Sequence, residues 1–176
     1  EILRYLDQVS ARHPTTIKPI QYGNSYKGRA LQAFVISSPE NIAQLEQLRQ
    51  SHLSSLGLGR QVSNQHTPIP IAWLSYNIHG NEAATASAAI RVITQLIDTT
   101  NQHSQAILKK CVVIVDPCLN PDGYDRYVQW YTQTKGNRFN SHPSAREHQE
   151  SWPGSRFNHY LFDLNRDWAW QVQQES

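Results

Sequence analysis

IPIAWLSYNIHGNEAATASAAIRVITQLID, residues 69–98, followed by CVVIVD at 111–116, decides the fold. The apolar run from Ile69 to Tyr76 suits a buried parallel strand. Ala86, Ile90, Ile93 and Ile97 then recur at helical spacing and give a helix one apolar face. Cys111 to Asp116 reads as a second buried strand. Strand, helix and strand in this order form a βαβ unit, so the sheet is at least partly parallel and helices cover it. The expected class is α/β.

Upstream, Ile2, Leu3, Leu6 and Val9 share one face of a short helix that ends before the His13-Pro14 break. IKPIQYG and ALQAFVIS read as strands joined by the turn NSYKGR. Ser38-Pro39 opens one helix, with Ser as cap and Pro at the first helical position, and Ile42, Leu45 and Leu48 form its buried stripe. SSLGLGRQVSNQHTP, residues 54–68, reads as a surface loop. Beyond Pro117 the chain shows little periodicity through NPDGYDR, KGNRFNSHPSAREHQESWPGSR and NHYLFDLNRDW. A structureless segment that long is usually functional. NPDGYDR itself reads as a turn, in which Asn120 and Asp122 favour local hydrogen bonds, Pro121 sets φ and Gly123 permits a positive φ.

Composition narrows the function. The 176 residues are enough chain for one domain with a real core. Lys and Arg number 16 against 14 Asp and Glu, a net charge of +2, so no nucleic-acid partner is indicated. No apolar run approaches the roughly 18 residues of a bilayer span. The sequence contains no Met, so a processed product or a piece of a longer chain is expected, and it opens on no charged-then-apolar leader. Cys111 and Cys118 flank an extended run that would hold them roughly 20 Å apart, beyond disulfide reach. Both are expected as buried free thiols.

His79 and Glu82, in HGNE, stand where a strand gives way to a helix, the place where open parallel sheets bind ligands. Gly80 allows a sharp turn, across which an imidazole and a carboxylate can converge on one cation. Together they supply two of the three protein ligands of a His₂Glu catalytic zinc site. The plainer reading is a helix start with an acid favoured by the dipole and an incidental His. DLNRDW, 163–168, adds a second cluster in which Arg166 can bind a carboxylate bidentately and Asn165 can donate once more. Arg156 is a further cation suited to an oxyanion, although any of these arginines could make a surface ion pair.

HGNE after a hydrophobic strand, NPDGYDR after the next strand and then DLNRDW resemble, in that order, the zinc carboxypeptidase family typified by carboxypeptidase A. WPGSRFNHYLFDLNRDW is similar to the bacterial branch of that family, and the resemblance runs from about Tyr5 to the end. It implies a three-layer α/β/α fold with a mixed, partly parallel central sheet, incomplete at its C-terminal side. Residues 1–176 would then be the N-terminal part of a single catalytic domain. It further implies a zinc-dependent metallocarboxypeptidase acting on peptides with a free C-terminal carboxylate. His79 and Glu82 would be zinc ligands, Arg156 would polarise the scissile carbonyl, and Asn165 and Arg166 would hold the terminal carboxylate. Asp163 would bond the ring of His79 from behind. Arg138 competes with Arg156 for its role.

The family's third zinc ligand, a later His, and its general-base Glu have no counterpart before Ser176, and the segment alone is expected to be inactive. His142, His148 and His159 sit among turn formers and are expected to be solvent-exposed rather than ligands. One rival is an aspartoacylase or desuccinylase-type amidohydrolase acting on N-acyl amino acids, whose members also carry HGNE and DLNR. Another is a non-catalytic module that binds peptide C-termini. The branch suggests periplasmic or secreted placement, which no residue of the sequence establishes, and nothing in the sequence bears on oligomeric state.

Overall fold

Leu6, on the apolar face of the first segment, is fully buried, and that segment is helix α1, Ile2–Arg12. The structure is a computed structural model that describes residues 1–58 and 69–176; residues 59–68 of the expected surface loop lie outside it. After α1 come strands β1 (Ile17–Asn24) and β2 (Ala30–Ile36). The chain divides into two compact units: Glu1–Ile20, Ala33–Leu74 and Ala89–Asp116 form the first, and Gln21–Gln32, Ser75–Ala88 and Pro117–Ser176 the second.

In the first unit, Ser38 and Pro39 start a helix as expected, but the helix is interrupted at Gln44. Two helices result, α2 (Pro39–Ala43) and α3 (Leu45–Ser55). The buried Asn41 side chain in α2 donates to Ser37 Oγ and Leu108 O, both at 3.0 Å. Leu48 of α3 packs with Val35 and Val112, and Ile42 of α2 and Leu45 of α3, half-buried, pack against the same cluster. Helices α4 (Ala84–Ile97) and α5 (Gln102–Leu108) lie in sequence between strands β3 (Ile71–Ser75) and β4 (Val112–Asp116). Asn101 caps α5 by accepting the Ser104 N–H at 3.1 Å.

The four strands form one sheet in the order β1-β2-β4-β3. Strands β2 and β4 are antiparallel, with Phe34 opposite Val115, Val35 opposite Ile114 and Ile36 opposite Val113. The α4–α5 crossover connects the neighbours β3 and β4, and the sheet is mixed, as the βαβ reading requires. Phe34, Ile36, Ile93, Leu108 and Val115 are fully buried in this unit. Strand β3 departs from expectation: it is shorter than Ile69–Tyr76, and Trp73 is 62% exposed. The reason is position, because an edge strand has a neighbour on one side only. Cys111 and Cys118 are free, as expected, but half-buried rather than buried.

The second unit corrects the reading of NPDGYDR. Pro121–Thr134 is helix α6, with Asn120 as its cap, accepting the Gly123 N–H at 2.9 Å, and Pro121 in its first turn. Gly123 therefore has helical geometry and no positive φ. What it supplies is room, since a Cβ there would stand 2.8 Å from the carbonyl oxygens of both Phe157 and Ser155. Asp122, almost completely buried, ties α6 to the hairpin turn between β1 and β2. It accepts from Ser25 Oγ at 2.8 Å, the Lys27 N–H at 3.1 Å and Arg29 Nη1 at 2.7 Å. After α6 the chain is irregular apart from short 3-10 turns at Arg146–His148 and Leu164–Arg166. Buried side chains hold it together: Asn158 Oδ1 accepts from the Tyr160 and Phe162 N–H groups, and Asp167 accepts from those of Val172 and Gln173.

Candidate metal centre

Past Ser75, the chain reaches HGNE through Asn77, which sits in the left-handed region at φ 54° and is 2% exposed. Asn tolerates that conformation better than most residues because its short amide can bond locally. Here it does, donating to His79 O at 3.0 Å and Glu82 O at 3.2 Å, while its Oδ1 accepts from the Cys118 thiol at 3.1 Å. Asn120 holds the same loop from α6, donating to Ile78 O and Arg156 O, both at 3.1 Å. Both asparagines carry a sequence signal: Asn77 stands between a strand and a tight turn, and Asn120 opens a helix with Pro121.

Gly80 also works by absence of a side chain rather than by φ. A Cβ on it would lie 2.1 Å from Gly123 C, 2.3 Å from Tyr124 N and 2.4 Å from Ser155 O. The turn therefore packs backbone against backbone, and its N–H donates to Arg156 O at 3.4 Å.

That packing brings together four of the six predicted site residues. His79 is buried, and its two ring nitrogens face different carboxylates: Nδ1 lies 3.1 Å from Glu82 Oε1, and Nε2 lies 3.1 Å from Asp163 Oδ1. Arg156 donates to Asp163 Oδ2 through Nε at 3.3 Å and Nη2 at 3.1 Å. Burial would raise the pKa of Asp163, but the bonds from His79, Arg156 and the Asn165 N–H outweigh it and hold the carboxyl below its ordinary value. Asn165 and Arg166 follow on the 3-10 turn, both exposed. Their bonds are local: Asn165 Oδ1 accepts the Trp168 indole N–H at 3.0 Å, and Arg166 Nη1 donates to Asn165 O at 3.3 Å.

The donor set can be tested against zinc. Two ligand atoms on one tetrahedral zinc, each at about 2.1 Å, stand about 3.4 Å apart. His79 Nδ1 and Glu82 Oε1, at 3.1 Å, need little adjustment to share one. Asp163 is on the opposite ring nitrogen, where a carboxylate fixes the tautomer and orientation of a ligating imidazole. Among the described residues no group of three His, Cys, Asp or Glu side chains is arranged to hold a metal, so the fit is that of two donors. His142 and His148 are exposed, as expected, whereas His159 is half-buried with its ring 4.7 Å from that of Tyr160.

Comparison with known proteins gives a concordant result. A zinc carboxypeptidase from Simulium vittatum is 23% identical over 124 residues, covering 70% of this chain and 32% of its own. Carboxypeptidase A from Helicoverpa armigera superposes with a TM-score of 0.52 at 16% identity, over 88% of this chain and 26% of its own. Bovine thrombin-activatable fibrinolysis inhibitor, in complex with a tick carboxypeptidase inhibitor, gives 0.50 at 18% identity, over 73% and 32%. The chain thus spans about a third or less of the length of these relatives. A sequence profile described as zinc carboxypeptidase matches residues 2–176, essentially the whole chain, and by that match the chain belongs to the zinc carboxypeptidase family.

Proposed function

We propose that this chain carries two metal ligands and the substrate anchor of a zinc-dependent metallocarboxypeptidase, which hydrolyses the last peptide bond of chains ending in a free carboxylate. The observation that supports it most is His79 with Glu82 on one ring nitrogen and Asp163 on the other, each at 3.1 Å. His79 and Glu82 would hold zinc, which when bound supplies Lewis acidity toward a peptide carbonyl and toward water. The other roles belong to the chain itself. Asp163 keeps the His79 ring in the tautomer that leaves Nδ1 as an acceptor. Arg156, whose bonds to Asp163 use only part of its donor fork, offers positive charge to a developing oxyanion. Arg166 and Asn165, exposed on the turn after Asp163, bind the terminal carboxylate and so restrict attack to the last bond.

Residues 1–176 alone would bind zinc weakly and hydrolyse nothing, because two donors leave the cation under-coordinated. The test is hydrolysis by the intact zinc-loaded protein of matched peptides with free and amidated C-termini. Turnover should be confined to the free acid, and Arg166→Ala should raise KM and lower kcat together. Equal turnover of the amidated peptide, activity on N-acyl amino acids alone, or an Arg166→Ala variant with unchanged kcat/KM would each refute the reading.

A further inference from the structure

The side-chain amide of Asn165 is held in one orientation. Trp168 lies three residues on, just past the 3-10 turn Leu164–Arg166, in which side chains three apart stack on the same side. Its indole Nε1 stands 3.0 Å from Asn165 Oδ1. An indole N–H donates and never accepts, so the amide atom that faces it is the oxygen, and the NH₂ end is turned away. The backbone of Asn165 is held as well: its N–H donates to Asp163 Oδ1 at 3.0 Å, and its carbonyl accepts from Arg166 Nη1 at 3.3 Å. Asn165 is exposed, and its Nδ2 has no partner among the described residues.

That orientation decides what the turn can offer a ligand. With Oδ1 engaged, the Asn165 side chain presents donors alone, and the guanidinium of Arg166 beside it also only donates. A terminal carboxylate carries acceptors alone and matches the pair. A terminal carboxamide brings an NH₂ that requires an acceptor, and leaving it unpaired weakens binding. A freely turning Asn165 would present Oδ1 to that NH₂ and lose the distinction.

We propose that Trp168 is a positioning residue for the carboxylate anchor: its indole N–H fixes the Asn165 amide with Nδ2 outward, and the site therefore prefers a chain ending in a carboxylate to one ending in a carboxamide. The proposal rests on the reading of Asn165 and Arg166 as that anchor. Trp168 itself is 53% exposed and acts through Asn165 rather than on the substrate.

The experiment titrates the ¹⁵N-labelled, zinc-loaded intact protein with phenylalanine, lysine and glutamate and with their carboxamides, ligands that have no peptide bond to cleave, and compares the acid and amide of whichever side chain binds most tightly. In the parent, the Asn165 Nδ2 resonances should shift saturably with the acid. Trp168→Phe keeps a ring and removes the donor; it should weaken the acid about 3–10-fold while the amide holds or gains, so the preference for the acid falls. Adding Trp168→Phe to Asn165→Ala should weaken the acid no further than Asn165→Ala does alone, because the two act as one unit. The proposal is overturned if Trp168→Phe leaves the acid-to-amide preference unchanged, if the losses of the two substitutions add, or if the Asn165 Nδ2 resonances stay fixed as the parent saturates. An unchanged preference in Trp168→Phe alongside weaker acid binding in Arg166→Ala overturns the role of Trp168 alone. No weakening in Arg166→Ala, or no acid binding by the parent, overturns the anchor reading and this proposal with it.

Discussion

Replacing Gly80 by Ala adds one methyl group where three backbone atoms already stand. The added carbon would sit 2.1 Å from Gly123 C, 2.3 Å from Tyr124 N and 2.4 Å from Ser155 O, each about 1 Å inside ordinary contact. Overpacking of this kind costs about 1–3 kcal/mol when side chains can move aside, and occasionally more. Here none of the three is a side-chain atom. Helix α6 and the 155 segment would have to separate from the turn, stretching the bonds from Asn120 to Ile78 O and Arg156 O. A loss of about 3 kcal/mol or more is expected, which in a protein of this size lowers Tm by about 6–12 °C. Gly136→Ala is the control, because a Cβ there meets only Arg138 O, at 3.4 Å, and φ is not positive. It should be neutral or slightly stabilising through the unfolded chain. Urea unfolding of both variants, fitted for midpoint and slope, measures the difference. A Gly80→Ala midpoint equal to that of Gly136→Ala would refute the account of the turn.

Two further outcomes follow from the same geometry. Asp163→Asn removes the carboxylate that faces His79 Nε2 and accepts from Arg156, and chelator competition on the intact protein should show zinc affinity about 10–100-fold weaker; equal affinity would remove Asp163 from the site. Glu175 is buried, and that burial pushes its pKa above the usual glutamate value. Because the folded value exceeds the unfolded one, its contribution is fully present in acid and is lost as pH rises through the folded pKa. Glu175→Gln should therefore gain Tm relative to the parent on going from pH 4 to pH 7, and parallel melting curves across that range would contradict it.

The approach of His79 to Glu82 is legible in the sequence because its information is local: the two lie three residues apart, and a turn can bring them together. The βαβ unit was legible for the same reason, from helical and strand periodicity within one stretch. Helix α6 reads as a turn in the sequence, although its Asn120-Pro121 start parallels the Ser38-Pro39 start of α2. Gly123 in its first turn and the polar spacing of DGYDRYVQW masked its period. The sequence suggests conformational roles for Gly80 and Gly123, whereas their roles in the structure are spatial. Their reason is a close approach between segments distant in the chain, which no local pattern encodes. The exposure of Trp73 has the same origin, since an apolar run does not say whether its strand will be central or at an edge.

Asp122 gives the second unit a long mechanical reach. Its carboxylate anchors Ser25, Lys27 and Arg29, and two residues earlier in the chain Asn120 grips Ile78 O, just before His79, and Arg156 O. A hairpin far from HGNE in the chain is thereby wired, bond by bond, to the posture of the His79 loop. Loss of Arg29 would therefore be felt at the His79 loop, although nothing in its own surroundings touches the imidazole.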